Sequence, residues 1–249
     1  MRKCNVMEQS SPAYKVAALL IAHAAKAGKD IQIYFQEWLD WLIGLFSIEN
    51  LMKYDNDYNR LLSGTSMDNI IFADAFHLWL QTVNEAQRSH KCVDFFGDVY
   101  EKCFQSNGKA ARLQQYFTPS SISSLSSRCM AEDKETSGPI WFGEPSCGSG
   151  RNILALWQDA DWNRTPFVYA EDLDPVSVKM CALNLMINGM IGHVICHNTL
   201  LPENFIFGYT VNEVRHPLPT NFFSIRKISA EEYHRLNATQ KNSFHGPEK

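Results

Sequence analysis

Glu144-Pro145-Ser146-Cys147-Gly148-Ser149-Gly150 is the stretch on which the reading of this chain turns. It follows a short apolar run, Ile140-Trp141-Phe142-Gly143, and leads into helix-like sequence through Leu156 and Trp157. Glycines at such a strand-to-helix turn let the backbone approach a ligand closely, and the helix adds exposed amides with a favourable dipole. Alone, the turn reads equally well as a structural bend. A second element tips the balance. Glu171-Asp172-Leu173-Asp174-Pro175 closes the next predicted strand, Phe167-Val168-Tyr169-Ala170, about 22 residues after Gly150. A carboxylate there is placed to accept hydrogen bonds from ribose hydroxyls, at close to the spacing seen in dinucleotide folds. Asp172 is the ribose candidate. Asp174, just before Pro175, reads first as a helix cap. The GxGxxG fingerprint is absent, which turns the expectation away from NAD.

Working outward, Pro175 to Asn188 reads as a helix and His193-Val194-Ile195-Cys196 as a third strand. Strands alternating with helices at this spacing predict a parallel, doubly wound α/β sheet. Beyond about Pro202 the sequence reads as turn-rich, and Asn237 to Lys249 is polar enough to fray. On the other side, residues 1–105 read as helical. Ile31, Tyr34, Phe35, Trp38, Leu42, Leu45 and Phe46 share one helix face, and Ile71, Phe72, Ala75, Phe76, Trp79 and Val83 another. These aromatics are expected to pack between helices; a base-stacking surface is the sharper alternative. Tyr54 to Asn59 is a polar connection without the Gly and Glu spacing of a calcium loop. The serine-rich run Ser120 to Ser127 reads as a helix start after Pro119. The expected division is therefore a helical region at 1–105, an α/β domain at 106–236 and a polar tail at 237–249.

The bulk numbers fit this. The chain has 249 residues, 45% hydrophobic and 20% charged, with a formal net charge of -4. That is an ordinary globular composition with no overall basic footprint, so DNA contact would need a local patch or a partner. The seven cysteines, Cys4, Cys92, Cys103, Cys129, Cys147, Cys181 and Cys196, are scattered and never form CxxC. No disulfide framework or metal site is expected, and free thiols suit the cytoplasm. The apolar stretch Val16 to Ala25 is too short to span a membrane.

The Glu144 to Gly150 run resembles the "DPxCGSG" motif of adenine-N6 DNA methyltransferases, including the modification subunits of type I restriction systems. Four more segments follow that family in order. Asp94-Phe95-Phe96-Gly97-Asp98-Val99-Tyr100-Glu101 resembles its "DxxGxxYE" helix. Gln114-Gln115-Tyr116-Phe117-Thr118-Pro119 resembles "GQYYTP". Glu171 to Pro175, with Ala182, Asn184, Leu185 and Gly189, resembles the ribose strand and its "AxxNLxxxG" helix. His197-Asn198-Thr199-Leu200 resembles the "HGNSL" turn that meets the cofactor's adenine. The resemblance implies a Rossmann-like S-adenosylmethionine-dependent methyltransferase half-domain, a parallel sheet with flanking helices, preceded by the helical N-terminal region. It implies S-adenosylmethionine as cofactor, held by Tyr116, Phe117, Thr118, Pro119, Glu144, Pro145, Ser146, Cys147, Gly148, Gly150, Asp172, Leu173, Asn198 and Thr199. Inside the glycine turn Cys147 is expected to be a small packing residue and not a nucleophile.

The resemblance has gaps. The family's "NPPY" group, which holds the target amine and stacks on the flipped base, has no counterpart: the nearest stretch, Arg215 to Phe223, lacks the Asn-Pro-Pro order. His197 stands where the family has glycine, and Glu144 where it has aspartate. The stretch onward to Lys249 is too short for the remaining strands and a target-recognition domain. A shorter methylase-like class associated with mobile elements shares the "AEDxDP" strand and a later Val211-Asn212-Glu213. No catalytic residue is assigned. The expectation is a cofactor-binding protein that is catalytically deficient or dependent on a partner, reaching DNA directly or through that partner. Two alternatives stand beside it: an active DNA adenine-N6 methyltransferase with a divergent catalytic turn, and a non-enzymatic nucleic-acid-binding or interaction module.

Overall fold

A computed structural model describes residues 11–52, 66–105, 118, 121–123, 125, 139–160, 162–213 and 223–244. Among the described residues five helices come first: α1 Pro12–Ala27, α2 Ile31–Phe46, α3 Ile48–Met52, α4 Met67–Arg88 and α5 Phe95–Gln105. Their boundaries follow local chemistry. Ser11, Asp30 and Ser66 cap α1, α2 and α4 by accepting from the amides of Tyr14, Gln32 and Asn69. Gly28, left-handed at φ 67°, ends α1.

The apolar stripes meet as the 3.6-residue period predicts. Tyr34, Phe35, Trp38 and Leu42 of α2 are fully buried, as is Trp79 of α4. Trp79 packs edge-on against Phe96 of α5 at 4.8 Å between ring centroids, and Trp38 meets the same ring at 5.4 Å. The aromatics are core, which removes Trp38 and Trp79 as base-stacking candidates. The polar connection around Tyr54 to Asn59 lies outside the described residues.

The second half supplies β1 Ile140–Glu144, α6 Arg151–Gln158, β2 Pro166–Asp172, α7 Pro175–Ile187, β3 Ile191–Asn198, β4 Leu201–Val211, β5 Ile225–Lys227 and α8 Ala230–Phe244. The strands form one sheet in the order β1-β2-β3-β4-β5. β1, β2 and β3 are parallel, as the strand–helix alternation predicts. The all-parallel expectation is corrected at β3. Thr199 and Leu200 turn the chain straight back, so β4 pairs with β3 antiparallel, and β5 with β4 likewise. Residues 201–211, expected to be turn-rich, are an eleven-residue strand. The stretch from Asn237, expected to fray, continues α8 as far as Phe244.

Period-two alternation puts Val168 and Ala170 of β2 and Val194 and Cys196 of β3 on one face. There they meet α7, in which eleven of thirteen residues are buried. A helix buried on nearly every side needs a second partner. The N-terminal helices provide it, and one hydrophobic cluster runs from Ala13 through α7 to Ile225. Lys179 of α7 adds an ion pair to Asp40 of α2 at 2.6 Å. On the opposite face Tyr169, Ile195, Phe205, Ile228, Tyr233 and Leu236 form a smaller cluster under α8. No described helix is long and apolar enough to cross a membrane.

Candidate functional site

The C-terminal ends of β1, β2 and β3 lie side by side, so the glycine turn, the Asp172 corner and the Asn198 turn converge although they are separated in sequence. Two residues of the glycine turn adopt positive φ, Gly148 at 53° and Gly150 at 89°. Side chains are strained in that region, which is why glycine stands at both. Gly150 is also tightly packed: a Cβ there would sit 3.1 Å from the Cys181 sulfur of α7.

The three strand ends are laced together. The Cys147 amide donates to the main-chain oxygen of Glu171 at 2.8 Å. The Gly148 amide donates to Asp172 Oδ2 at 2.8 Å, and the Asp174 amide to Asp172 Oδ1 at 2.8 Å. Thr199 Oγ1 donates to the Pro145 carbonyl at 2.9 Å. Asn198 Oδ1 accepts from the Leu200 amide at 3.0 Å, closing its own turn. Glu144 accepts from the Ser146 amide at 3.3 Å and from Asn152 Nδ2 at 3.4 Å. Asp172 uses one lone pair on each carboxylate oxygen for these amides and keeps others for a ligand.

The expected residues fall into three groups. Glu144, Pro145, Ser146, Cys147, Gly148, Gly150, Asp172, Asn198 and Thr199 are brought together here, and Leu173, 60% exposed, rims the corner. Thr118 is placed by its carbonyl, which accepts from Arg151 Nη1 at 3.2 Å. Tyr116, Phe117 and Pro119 lie outside the described residues. Asp174 is a cap, accepting from the Ser177 amide at 2.8 Å. Cys147 is buried, and that burial pushes its thiol well above the ordinary range. It is a packing residue and a poor nucleophile.

Behind the turn sits a network to which the sequence motifs gave no role. Asp94, 9% exposed, caps α5 by accepting from the Gly97 amide at 3.0 Å. Its Oδ1 also accepts from Asn184 Nδ2 of α7 at 2.8 Å. Its Oδ2 accepts from Ser149 Oγ and from Arg151 Nε, each at 2.6 Å. Arg151 reaches on to Glu101 at 2.8 Å and Asp98 at 3.1 Å. Asn184 donates to the Ser149 carbonyl at 2.9 Å as well. One buried carboxylate thus ties α5, the glycine turn, α6 and α7, and a buried charge is tolerated only with such partners. Burial, with the charge of Asp94, pushes the Asp98 carboxyl up to about 6, against the pull of Arg151. The signal was present in the sequence as Asp94, Gly97 and Asn184 of the family-like motifs; Arg151 carried none.

The residues present suit a nucleoside cofactor carrying an amino acid: a positive-φ glycine turn, a carboxylate one strand over, and exposed apolar side chains, Leu173 and Leu200 (88% exposed), at the rim. A separate open cavity of about 390 Å³ lies elsewhere, between Leu80, Val83 and Gln87 of α4, Ile187 and Phe223. It shares no residue with the strand-end site. Among the described residues no group of three or more acids, cysteines or histidines is arranged to hold a metal.

A family model described as N-6 DNA Methylase matches residues 91–242. The chain is similar to the Type I restriction enzyme MjaIX methylase subunit of Methanocaldococcus jannaschii, 24% identical over 135 residues. That match covers 50% of this chain and 23% of the archaeal protein. No solved structure matches. The matched region begins just before Asp94 and takes in the whole strand-end site.

Proposed function

From the premise that this chain belongs to the N-6 DNA methylase family, we propose that it binds S-adenosylmethionine across the ends of β1, β2 and β3 as the cofactor-holding part of an adenine-N6 DNA methylation system. The observation that carries the reading is the Asp172 carboxylate, hydrogen-bonded to the Gly148 amide of the glycine turn at 2.8 Å. That contact joins the element suited to a ribose to the element suited to the amino-acid end. When bound, the cofactor supplies an electrophilic methyl group on a sulfonium. The chain's own residues bind and orient it: Glu144 to Gly150 wrap the methionine end, Asp172 accepts from the ribose, and Leu173, Asn198 and Thr199 border the adenine. Tyr116, Phe117, Thr118 and Pro119 belong to the same site in this reading.

The sequence contains no Asn-Pro-Pro order, so the groups that hold and polarise the target amine come from outside these residues. They come from a partner or from further polypeptide, and DNA is reached the same way. The archaeal relative is named as a subunit of a restriction enzyme, which supports a subunit role.

Calorimetric titration with S-adenosylmethionine and S-adenosylhomocysteine tests the reading. Binding should be lost in Asp172→Ala, which removes the ribose acceptor, and in Gly148→Val, which forces a β-branched residue to positive φ. No binding by the wild-type chain would overturn the proposal. Methyl transfer to DNA by the chain alone would refute the dependence on outside groups.

A further inference from the structure

His197 occupies the penultimate position of β3, one residue before the Asn198 turn, and is 1% exposed. Both ring nitrogens are engaged. Nε2 lies 2.7 Å from Glu171 Oε1, and Nδ1 lies 2.8 Å from the Tyr233 hydroxyl of α8. With Nε2–H donating to the Glu171 carboxylate, which can only accept, Nδ1 accepts from the Tyr233 hydroxyl. Tyr233, fully buried, also stacks on Phe205 of β4 at 4.4 Å with the rings 17° apart. The β3–β4 register shifts on both sides of His197; such irregularities re-aim side chains at the ends of strands.

The two ends of this chain of bonds matter. Glu171 is 15% exposed at its side chain, and its main-chain oxygen receives the Cys147 amide of the glycine turn. It immediately precedes Asp172. His197 immediately precedes Asn198 and Thr199, whose side chains fix the β3 turn and hold the Pro145 carbonyl. A second tie runs parallel: the Tyr169 hydroxyl of β2 donates to Asn237 Oδ1 of α8 at 3.0 Å. A hydrogen-bonded chain thus runs from Tyr233 of α8 across that face of the sheet through His197 to Glu171, the two strand residues flanking the proposed adenosine contacts.

We infer that Glu171, His197 and Tyr233 are positioning residues for the adenosine end of the cofactor, and that α8 is thereby part of the cofactor site. The inference rests on the cofactor reading given above. None of the three touches the ligand; each acts by holding the β2 and β3 ends in register. A glycine at position 197 would have no side chain to join Tyr233 to Glu171, so this coupling is built on the residue at which the chain departs from the family motif.

The test titrates the full chain with S-adenosylhomocysteine and with 5′-methylthioadenosine, which keeps the adenosine end but lacks the amino acid. Tyr233→Phe retains the stack on Phe205 and removes only the hydroxyl. It should weaken both ligands by the same factor, about tenfold, the equivalent of one hydrogen bond. His197→Gln keeps a donor near Nε2 but breaks the chain at Tyr233, so the double variant should bind no more weakly than His197→Gln alone. Glu171→Gln retains an acceptor for His197 and should keep most of the affinity. Unchanged affinity in a folded Tyr233→Phe, beside a wild type that binds, would overturn the inference and leave the cofactor reading standing. Multiplying losses in the double variant would overturn it too, since independent contacts multiply and one chain does not. A wild type that binds neither ligand overturns the cofactor reading first. Should His197→Gln not fold, Tyr233→Phe decides alone.

Discussion

Gly97→Ala sets two physical rules against each other. Gly97 lies in the first turn of α5, and alanine is favoured over glycine in a helix by about 1 kcal/mol. Propensity alone therefore forecasts a stabilised protein. The structure forecasts the reverse. A Cβ on Gly97 would sit 2.2 Å from Asp94 Oδ2 and 2.7 Å from Asp94 Cγ and Oδ1. A carboxylate at the tip of a free side chain would simply swing aside. This one is 9% exposed and accepts from Gly97, Asn184, Ser149 and Arg151 at 2.6–3.0 Å. Moving it breaks at least two hydrogen bonds to a charged group, each worth about 1.5–3 kcal/mol. After the helix gain is subtracted, the net loss is about 2–5 kcal/mol. Urea unfolding at pH 7.5, with the slope checked for two-state behaviour, reads this directly. The Asp94→Ala background supplies the control: with the carboxylate gone, Gly97→Ala should become stabilising by about 1 kcal/mol. A Gly97→Ala protein as stable as wild type would refute the reasoning that the Asp94 network braces the glycine turn.

Two further outcomes follow from local geometry. Gly192→Ala should cost about 3 kcal/mol or more in urea unfolding, because φ is 150° there and a Cβ would lie 1.9 Å from the Val168 carbonyl on the paired strand; Gly189→Ala, at φ 72° with open space around it, should cost only about 1–2 kcal/mol in the same assay. The hydrogen bonds from Arg226 to Glu232, at 2.6 and 2.8 Å, hold that carboxyl below its ordinary value of 4.5. A depressed native value means a contribution present above about pH 4.5 and lost as the pH falls below it. Glu232→Gln should therefore be less stable than wild type by roughly 1–2 kcal/mol at pH 7, and the difference should shrink steadily as the pH falls below 4.5. A difference that stayed constant with pH would refute the assignment.

Much of this architecture was legible because hydrophobic periodicity and turn chemistry act locally. The α2 and α4 stripes, the three parallel strands and the Asp174–Pro175 helix start all follow from residues within one or two turns of each other. β4 was not legible because its signal is split. Phe205, Phe207 and Tyr209 alternate as a strand should, but Ile206 between them is 55% exposed, and Pro202 and Gly208 read as turn residues. The hairpin becomes visible only once Asn198 Oδ1 is seen closing the turn. The site divides in the same way. The glycine turn and Asp172 announce themselves by type and spacing, whereas Arg151 carries no local mark. Its meaning comes from Asp94, Asp98 and Glu101, some fifty residues earlier in sequence. His197 reads as a lapse from a motif until Tyr233 is placed beside it.

The change of rhythm between the helical first hundred residues and the alternating second half looks like a domain boundary, yet the packing crosses it. α7 buries Val178, Met180, Cys181, Leu183, Leu185 and Met186 fully, more apolar surface than one sheet face can cover. Its outer side lies against α2 and α5 in a single cluster. Gln87 of α4 donates to the Ile187 carbonyl at the end of α7 at 2.8 Å, satisfying an orphan group of that helix terminus. The Asp94 carboxylate adds a charged tie to Asn184 of α7 and Arg151 of α6. A buried carboxylate stripped of its partners is strongly unfavourable, so α5 and the glycine turn stabilise each other. The rhythm marks a change in secondary-structure type; the core is shared. The proposed cofactor site accordingly rests on helices that precede it in sequence on one side and, through Tyr233 and His197, on the helix that follows it on the other.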